Sequence, residues 1–205
     1  KNASLPILAA TLLSGKKILL TNVPRVKDVE TMIKLLESMG SKVKKLQKGN
    51  SLLIQNNKKI KTKAGYHLMS TMRAGIIVLG PLLARFGKAR VSTPGGCSIG
   101  FRPIDLHLEA LKTMGVKYKI IDGYVHASAK NGLIGAKIKF PKVSVGATEN
   151  LLIASCLAKG QTTLSNCAIE PEIKDLTKFL NTIGAKITWI GKRQVKIIGV
   201  KKFKE

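Results

Sequence analysis

Residues 12–43 read LLSGKKILLTNVPRVKDVETMIKLLESMGSKV. The same plan returns in residues 83–118 (LARFGKARVSTPGGCSIGFRPIDLHLEALKTMGVKY) and in residues 156–187 (CLAKGQTTLSNCAIEPEIKDLTKFLNTIGAKI). Each copy passes from an apolar segment into a glycine and a short strand-like run. An aspartate then opens an amphipathic segment that closes on Gly-x-Lys. The first glycines, Gly15, Gly87 and Gly160, are 72 and 73 residues apart. Asp28, Asp105 and Asp175 follow, and Gly40, Gly115 and Gly184 close the copies, with Lys42, Lys117 and Lys186 two positions on. The period is well above that of solenoid repeats.

The two helical segments of each copy differ in kind. In the second, Val29, Met32, Ile33, Leu36 and Met39 recur at helical spacing with Glu30, Lys34 and Glu37 between them, which predicts an amphipathic helix. Its aspartate reads as an N-cap and its glycine as a C′ residue. The first segment is apolar nearly all round in Leu5–Leu13, Ala74–Ala84 and Leu151–Ala158, and a helix without a polar face is expected to be buried on every side. Strand candidates are Lys17–Leu20, Ser51–Ile54, Tyr118–Ile121, Tyr124–Ala127 and Val195–Ile198. The expectation is an α/β fold of three pseudo-threefold units, with apolar helices inside and sheets plus amphipathic helices outside.

Composition supports a packed globule. The 205 residues are 44% hydrophobic and 23% charged, which excludes a disordered chain. The longest apolar run, Gly75 to Ala84, is about half the length needed to cross a bilayer, and no secretory signal is evident. Three cysteines without paired or metal-type spacing point to a reducing compartment, hence the cytoplasm. The chain opens on Lys1 rather than Met and closes on a basic stretch, which reads as an excised piece. The net charge of +25 invites a nucleic-acid reading. Against it, only six of the 36 basic residues are arginine, nine aromatics are available for stacking, and no RNP, zinc-finger or helix-turn-helix signature accompanies them. Small acidic ligands remain the expected partners of such a charge.

The copies disagree most between glycine and aspartate, where the interval is 13, 18 and 15 residues. The surplus of copy two holds Pro94-Gly95-Gly96-Cys97-Ser98-Ile99-Gly100-Phe101-Arg102-Pro103. One elongated, glycine-rich loop on a repeated scaffold suggests function added to one copy. Cys97 lies there with Arg90 and Arg102 near in sequence, and a nearby guanidinium favours thiolate. Cys156 and Cys167 read as packing residues. Lys1 and Arg73 each precede their repeat glycine by 14 residues, near the start of an apolar helix, and Lys142 precedes the third in Lys142-Val143-Ser144-Val145-Gly146. Free N–H groups, the positive helix end and a cation together suit an anion, so a phosphorylated substrate facing Cys97 is expected. His107, at the start of an amphipathic segment, reads as a surface or capping residue, and His67 and His126 show no partners. No zinc or Ser-His-Asp pattern is present.

These residues resemble a known family. Lys1-Asn2-Ala3 with Leu5-Pro6, Thr71-Met72-Arg73-Ala74, Pro94-Gly95-Gly96-Cys97-Ser98-Ile99-Gly100, Arg102-Pro103-Ile104-Asp105-Leu106-His107 and Lys142-Val143-Ser144-Val145-Gly146-Ala147-Thr148 are similar to bacterial UDP-N-acetylglucosamine enolpyruvyl transferases. The resemblance implies an inside-out α/β barrel, with residues 1–205 forming a single domain of three repeats (about 1–68, 69–141 and 142–205) and the partner domain absent. It implies transfer of enolpyruvate from phosphoenolpyruvate to the 3′-hydroxyl of UDP-N-acetylglucosamine, with no metal or organic cofactor, no nucleic acid and no membrane. Cys97 is then the general acid and the target of fosfomycin. Lys1, Asn2 and Arg102 hold phosphoenolpyruvate. Asn2, Arg73, Arg102, Pro103, Ile104, Asp105, Leu106, Lys142, Val143, Ser144 and Val145 hold the sugar nucleotide. Ile77 stands where many members carry Trp, and Ile169 where an Arg is common. The family's catalytic Asp belongs to the other domain, so this half-site is expected to be inactive alone. Two rival readings are the related transferase acting on shikimate 3-phosphate, which the Cys-bearing loop disfavours, and a basic RNA-binding or RNA-end-processing module.

Overall fold

The closing glycines end their helices as the repeat requires. Gly40, Gly115 and Gly184 take φ of +103°, +90° and +109°, left-handed angles that cost glycine little and a side chain much. The computed structural model describes residues 1–46, 50–56, 59–93 and 104–203. The first unit comprises α1 (Ser4–Ala10) continued by a 3₁₀ turn (Thr11–Leu13), β1 (Lys17–Leu20), α2 (Lys27–Met39), β2 (Ser41–Leu46) and β3 (Ser51–Asn56). The second comprises β4 (Lys63–Ala64), α3 (Tyr66–Met69), a 3₁₀ segment (Arg73–Val78) running into α4 (Leu79–Phe86), β5 (Lys88–Ser92), α5 (Asp105–Thr113), β6 (Lys117–Ile121) and β7 (Tyr124–Ser128). The third comprises β8 (Lys137–Lys139), α6 (Val145–Ser155), β9 (Gln161–Ser165), α7 (Pro171–Thr182), β10 (Lys186–Gly191) and β11 (Gln194–Ile198).

Each unit builds one sheet, in the orders β1-β3-β2, β4-β5-β7-β6 and β8-β9-β11-β10. All neighbours are antiparallel except β4 with β5 and β8 with β9, so the second and third sheets take a parallel edge strand from residues just ahead of the unit's inner helix. The hairpin between β6 and β7 turns on Asp122 and Gly123, with φ of +49° and +72°, the two positive angles that a type I′ turn needs.

The helices divide as their apolar patterns predict. None of α1, α4 and α6 contains an exposed residue, and every side chain from Ala147 to Ser155 in α6 is buried. These helices pack on one another. By contrast α2 buries Val29, Met32, Ile33, Leu35, Leu36 and Met39 while exposing Lys34 and Glu37. Buried and half-buried polar side chains tie the layers. Asn56 accepts from Ser41 Oγ at 2.6 Å and donates to Thr11 O at 2.7 Å, joining the first sheet to the end of its inner helix. Arg85 Nη1, at the end of α4, donates to Leu12 O at 2.7 Å and Ser14 O at 3.0 Å. Guanidinium and helix-end carbonyls suit one another because the last carbonyls of a helix are unpaired.

One expectation is corrected. The aspartates are not N-caps: Val26, Ile104 and Glu170 hold those positions, and none makes a side-chain capping bond. Asp28 and Asp105 lie inside the first turn, where a carboxylate still meets the positive helix end. Helix α7 starts four residues ahead of Asp175, because Pro171 fits the first helical position and its missing N–H is no loss there.

Burial predicts the sensitivity of the two layers. Leu152 is fully buried in α6, whereas Ile198 at the end of β11 is 43% exposed. Leu152→Ala is expected to cost about 2–5 kcal/mol and Ile198→Ala under about 1 kcal/mol, measured by urea unfolding. Equal losses would contradict the inner-helix assignment.

Candidate functional site

The inner helices share their polarity. A cleft of about 540 Å³ is lined by Leu13 and Ser14, Ala84 and Arg85, and Leu157, which places the C-terminal ends of all three at one end of the bundle. Their starts, near Lys1, Arg73 and Val145, therefore lie at the opposite end, where unpaired N–H groups carry partial positive charge. Lys1, Arg73 and Lys142 belong to that end, as the register of cations suggests.

The detail there is more acidic than the sequence implies. Lys1 Nζ pairs with Asp28 Oδ2 at 2.7 Å, and Asn2 Nδ2 donates to Glu172 Oε1 at 3.4 Å. Lys1, Asn2 and Ala3 share a cleft of about 620 Å³ with Pro171, Glu172 and Asp175, so the start of the first unit abuts α7 of the third. The start of α6 is built firmly. Ser144 caps it, its Oγ accepting from Ala147 N at 3.3 Å. Thr148 Oγ1 donates to Ser144 O at 2.7 Å and accepts from Ala168 N at 3.0 Å. Ahead of the cap, Lys142 and Val143 are exposed. Arg73 opens the second inner helix through its 3₁₀ segment, Ile104 is the N-cap of α5, and Asp105 and Leu106 are its first residues. Cys97, Arg102 and Pro103, with the rest of 94–103, lie outside the described residues.

His107 corrects the sequence reading. It is 7% exposed, and its Nδ1 lies 2.9 Å from Nδ2 of Asn150, which is itself fully buried in α6. Burial holds the imidazole pKa down, from 6.5 to about 4. The sequence shows a histidine on an amphipathic segment but gives no sign that its ring points inward to an asparagine 43 residues away. Glu149, beside Asn150, was also missed: it is buried, and desolvation followed by the negative charge of Glu172 raises its carboxyl from 4.5 to about 8. The only sequence signal is a charge inside an apolar helix.

The two remaining cysteines behave as packing residues. Cys156 Sγ donates to Leu152 O at 3.2 Å, and burial raises its thiol pKa. Cys167 is buried too, and desolvation, partly offset by Arg193, pushes it up to about 12. Among the described residues no group of His, Cys, Asp and Glu is arranged to hold a metal ion, and no helix is long and apolar enough to cross a membrane.

Glu149 and His107 give stability a defined pH profile. Between pH 4.5 and 8 the folded protein keeps a proton on Glu149 that the unfolded chain releases, so stability falls as pH rises. Between pH 4 and 6.5 the unfolded chain protonates His107 and the folded protein does not, so stability rises. The slopes oppose one another up to pH 6.5, which leaves Glu149 alone above it. Unfolding free energy should drop by up to about 2 kcal/mol from pH 6.5 to 8, and Glu149→Gln should abolish the drop in urea titrations. A decline that persists in the variant would refute the assignment.

Comparisons with known proteins agree with this architecture. Over 205 residues the chain is 69% identical to UDP-N-acetylglucosamine 1-carboxyvinyltransferase of Pelagibacter ubique (strain HTCC1062), covering 100% of this chain and 49% of that protein. It is 53% identical over 199 residues to the protein of the same name from Sulfurovum sp. (strain NBC37-1), covering 97% and 47%. The chain thus spans about half the length of the curated relatives it matches. Among solved structures, the enolpyruvyl transferase NikO from Streptomyces tendae superimposes with a TM-score of 0.82 at 18% identity, over 97% of this chain and 46% of that one. EPSP synthase from Acinetobacter baumannii gives 0.75 at 17%, over 99% and 46%. These two likenesses show the fold, an inside-out α/β domain of the enolpyruvyl transferase type. Residues 1–205 all match the family described as EPSP synthase (3-phosphoshikimate 1-carboxyvinyltransferase), and the chain belongs to that family.

Proposed function

We propose that this chain forms one wall of the active site of an enzyme that transfers enolpyruvate from phosphoenolpyruvate to the 3′-hydroxyl of UDP-N-acetylglucosamine, releasing phosphate and opening peptidoglycan synthesis in the cytoplasm. One observation carries the reading: 69% identity across all 205 positions with a UDP-N-acetylglucosamine 1-carboxyvinyltransferase. A second domain of the full-length protein supplies the opposite wall, as the length of the relatives suggests, so the isolated chain has little or no turnover.

The chemistry needs a proton donor, two anion sites and a hydroxyl acceptor. Cys97 donates its proton to the methylene carbon of phosphoenolpyruvate, which makes the adjacent carbon electrophilic. The sugar hydroxyl adds there and loses its proton, and the tetrahedral adduct then releases phosphate as a proton leaves the methyl group. Lys1, Asn2 and Arg102 hold the phosphate and carboxylate. Lys1 must leave Asp28 to do so, and a pair this exposed (54% and 35% for the two side chains) is worth only about 0–1 kcal/mol, so the exchange is inexpensive. Arg73, Arg102–Leu106 and Lys142–Val145, with Asn2, hold the sugar nucleotide. Guanidinium groups suit both phosphate and carboxylate because they donate in a planar fork.

In the full-length protein, phosphate release should require both substrates, and shikimate 3-phosphate should not replace the sugar nucleotide. Cys97→Ala should reduce turnover by about 10²–10⁴-fold with the fold retained, and fosfomycin should alkylate the wild-type thiol. Unchanged turnover in Cys97→Ala would remove the general acid from the mechanism.

A further inference from the structure

The amide of Asn150 can face only one way. Its Oδ1 accepts the backbone N–H of Gly80 at 2.7 Å, a group that can only donate. Nδ2 therefore faces the opposite side, where it meets Ile76 O at 3.1 Å and His107 Nδ1 at 2.9 Å. The amide nitrogen has two protons and accepts nothing, so one proton goes to Ile76 O and the other to Nδ1. Nδ1 is thus an acceptor, and the ring proton lies on Nε2. Helices α4 and α6 approach closely at Gly80, where a Cβ would lie 2.6 Å from Asn150 O.

The far edge of the same ring meets the start of α6. A Cβ on Gly146 would stand 3.4 Å from His107 Cε1 and 3.6 Å from Nε2. His107 is the third residue of α5 and Gly146 the second of α6. One ring, clamped from behind by a buried amide, therefore separates the first turns of two helices. Ile104, Asp105 and Leu106 open one of those turns, and residues 142–145 lead into the other.

We propose that His107, held by Asn150 as the neutral Nε2–H tautomer, is a positioning residue that sets the spacing of these two segments and hence the affinity for the sugar nucleotide. The proposal rests on the sugar-nucleotide reading of those segments. Ring volume alone does not replace the imidazole: a leucine would leave one proton of a fully buried amide without an acceptor. Glutamine at position 107 keeps an acceptor oxygen for that proton.

The test uses the full-length protein with phosphoenolpyruvate and UDP-N-acetylglucosamine. His107→Leu and Asn150→Asp should raise KM for the sugar nucleotide by about tenfold or more, as small displacements of binding groups do. In both, kcat and KM for phosphoenolpyruvate should stay within about threefold, and His107→Gln should restore most of the sugar-nucleotide affinity. The ¹⁵N spectrum of the wild-type ring should report Nε2–H, and Asn150→Asp should change it. Wild-type turnover with an unchanged KM in a folded His107→Leu would overturn the proposal alone, as would an Nδ1–H ring in the wild type. If His107→Leu does not fold, the KM and ring spectrum of Asn150→Asp decide in the same way. A wild-type protein that releases no phosphate from these substrates would overturn the sugar-nucleotide reading and the proposal with it.

Discussion

A helix with no polar face has to be surrounded, and the architecture follows from three of them lying side by side. Segment Ala147–Ser155 is buried at every position, so neither a single sheet nor one amphipathic partner can cover it. Three units each contribute one such helix, a sheet and an amphipathic helix, and only together do they enclose the apolar bundle. The arrangement orders function as well as packing, because the unit starts are brought to one end and the unit ends to the other.

Polar side chains inside the bundle make the arrangement specific. Asn56, Asn150 and Thr11 are fully buried, and the two asparagines bond to backbone groups of other elements. A buried amide tolerates few alternatives, since an unmade bond costs about as much as a bond supplies or more. The inner helices are greasy enough to slide against one another. The bonds from Asn150 to Gly80 and Ile76, and from Arg85 to Leu12 and Ser14, fix their registers.

Much of the fold was legible because its signals are local. The apolar and amphipathic segments and the closing glycines each need only a short window of sequence. Strands β2, β4, β8 and β10 were not found: SKVKKL, KA, KIK and KITWIG are lysine-bearing or only two or three residues long, and their pairing is settled by tertiary neighbours. The aspartates misled because position in the first turn and position at the cap look alike in sequence. Within the candidate site, residues from Lys1 to Val145 were nominated because motifs mark them along the chain. His107, Asn150 and Glu149 were not, because their roles arise from contacts across 43 residues or from desolvation, and neither leaves a pattern along the chain.

The resulting picture is a domain with two unlike ends. One gathers the starts of the inner helices with Lys1, Arg73 and Lys142, tempered by Asp28 and Glu172. The other gathers the helix ends around Arg85, Lys201 and Lys202. Both are basic, so charge alone does not choose between them. Hydrogen exchange of the full-length protein with and without UDP-N-acetylglucosamine does. The account predicts new protection in the first turns of α5 and α6, with the Arg85 cleft unchanged. Protection confined to the Arg85 cleft, or absent from both helix starts, would contradict it.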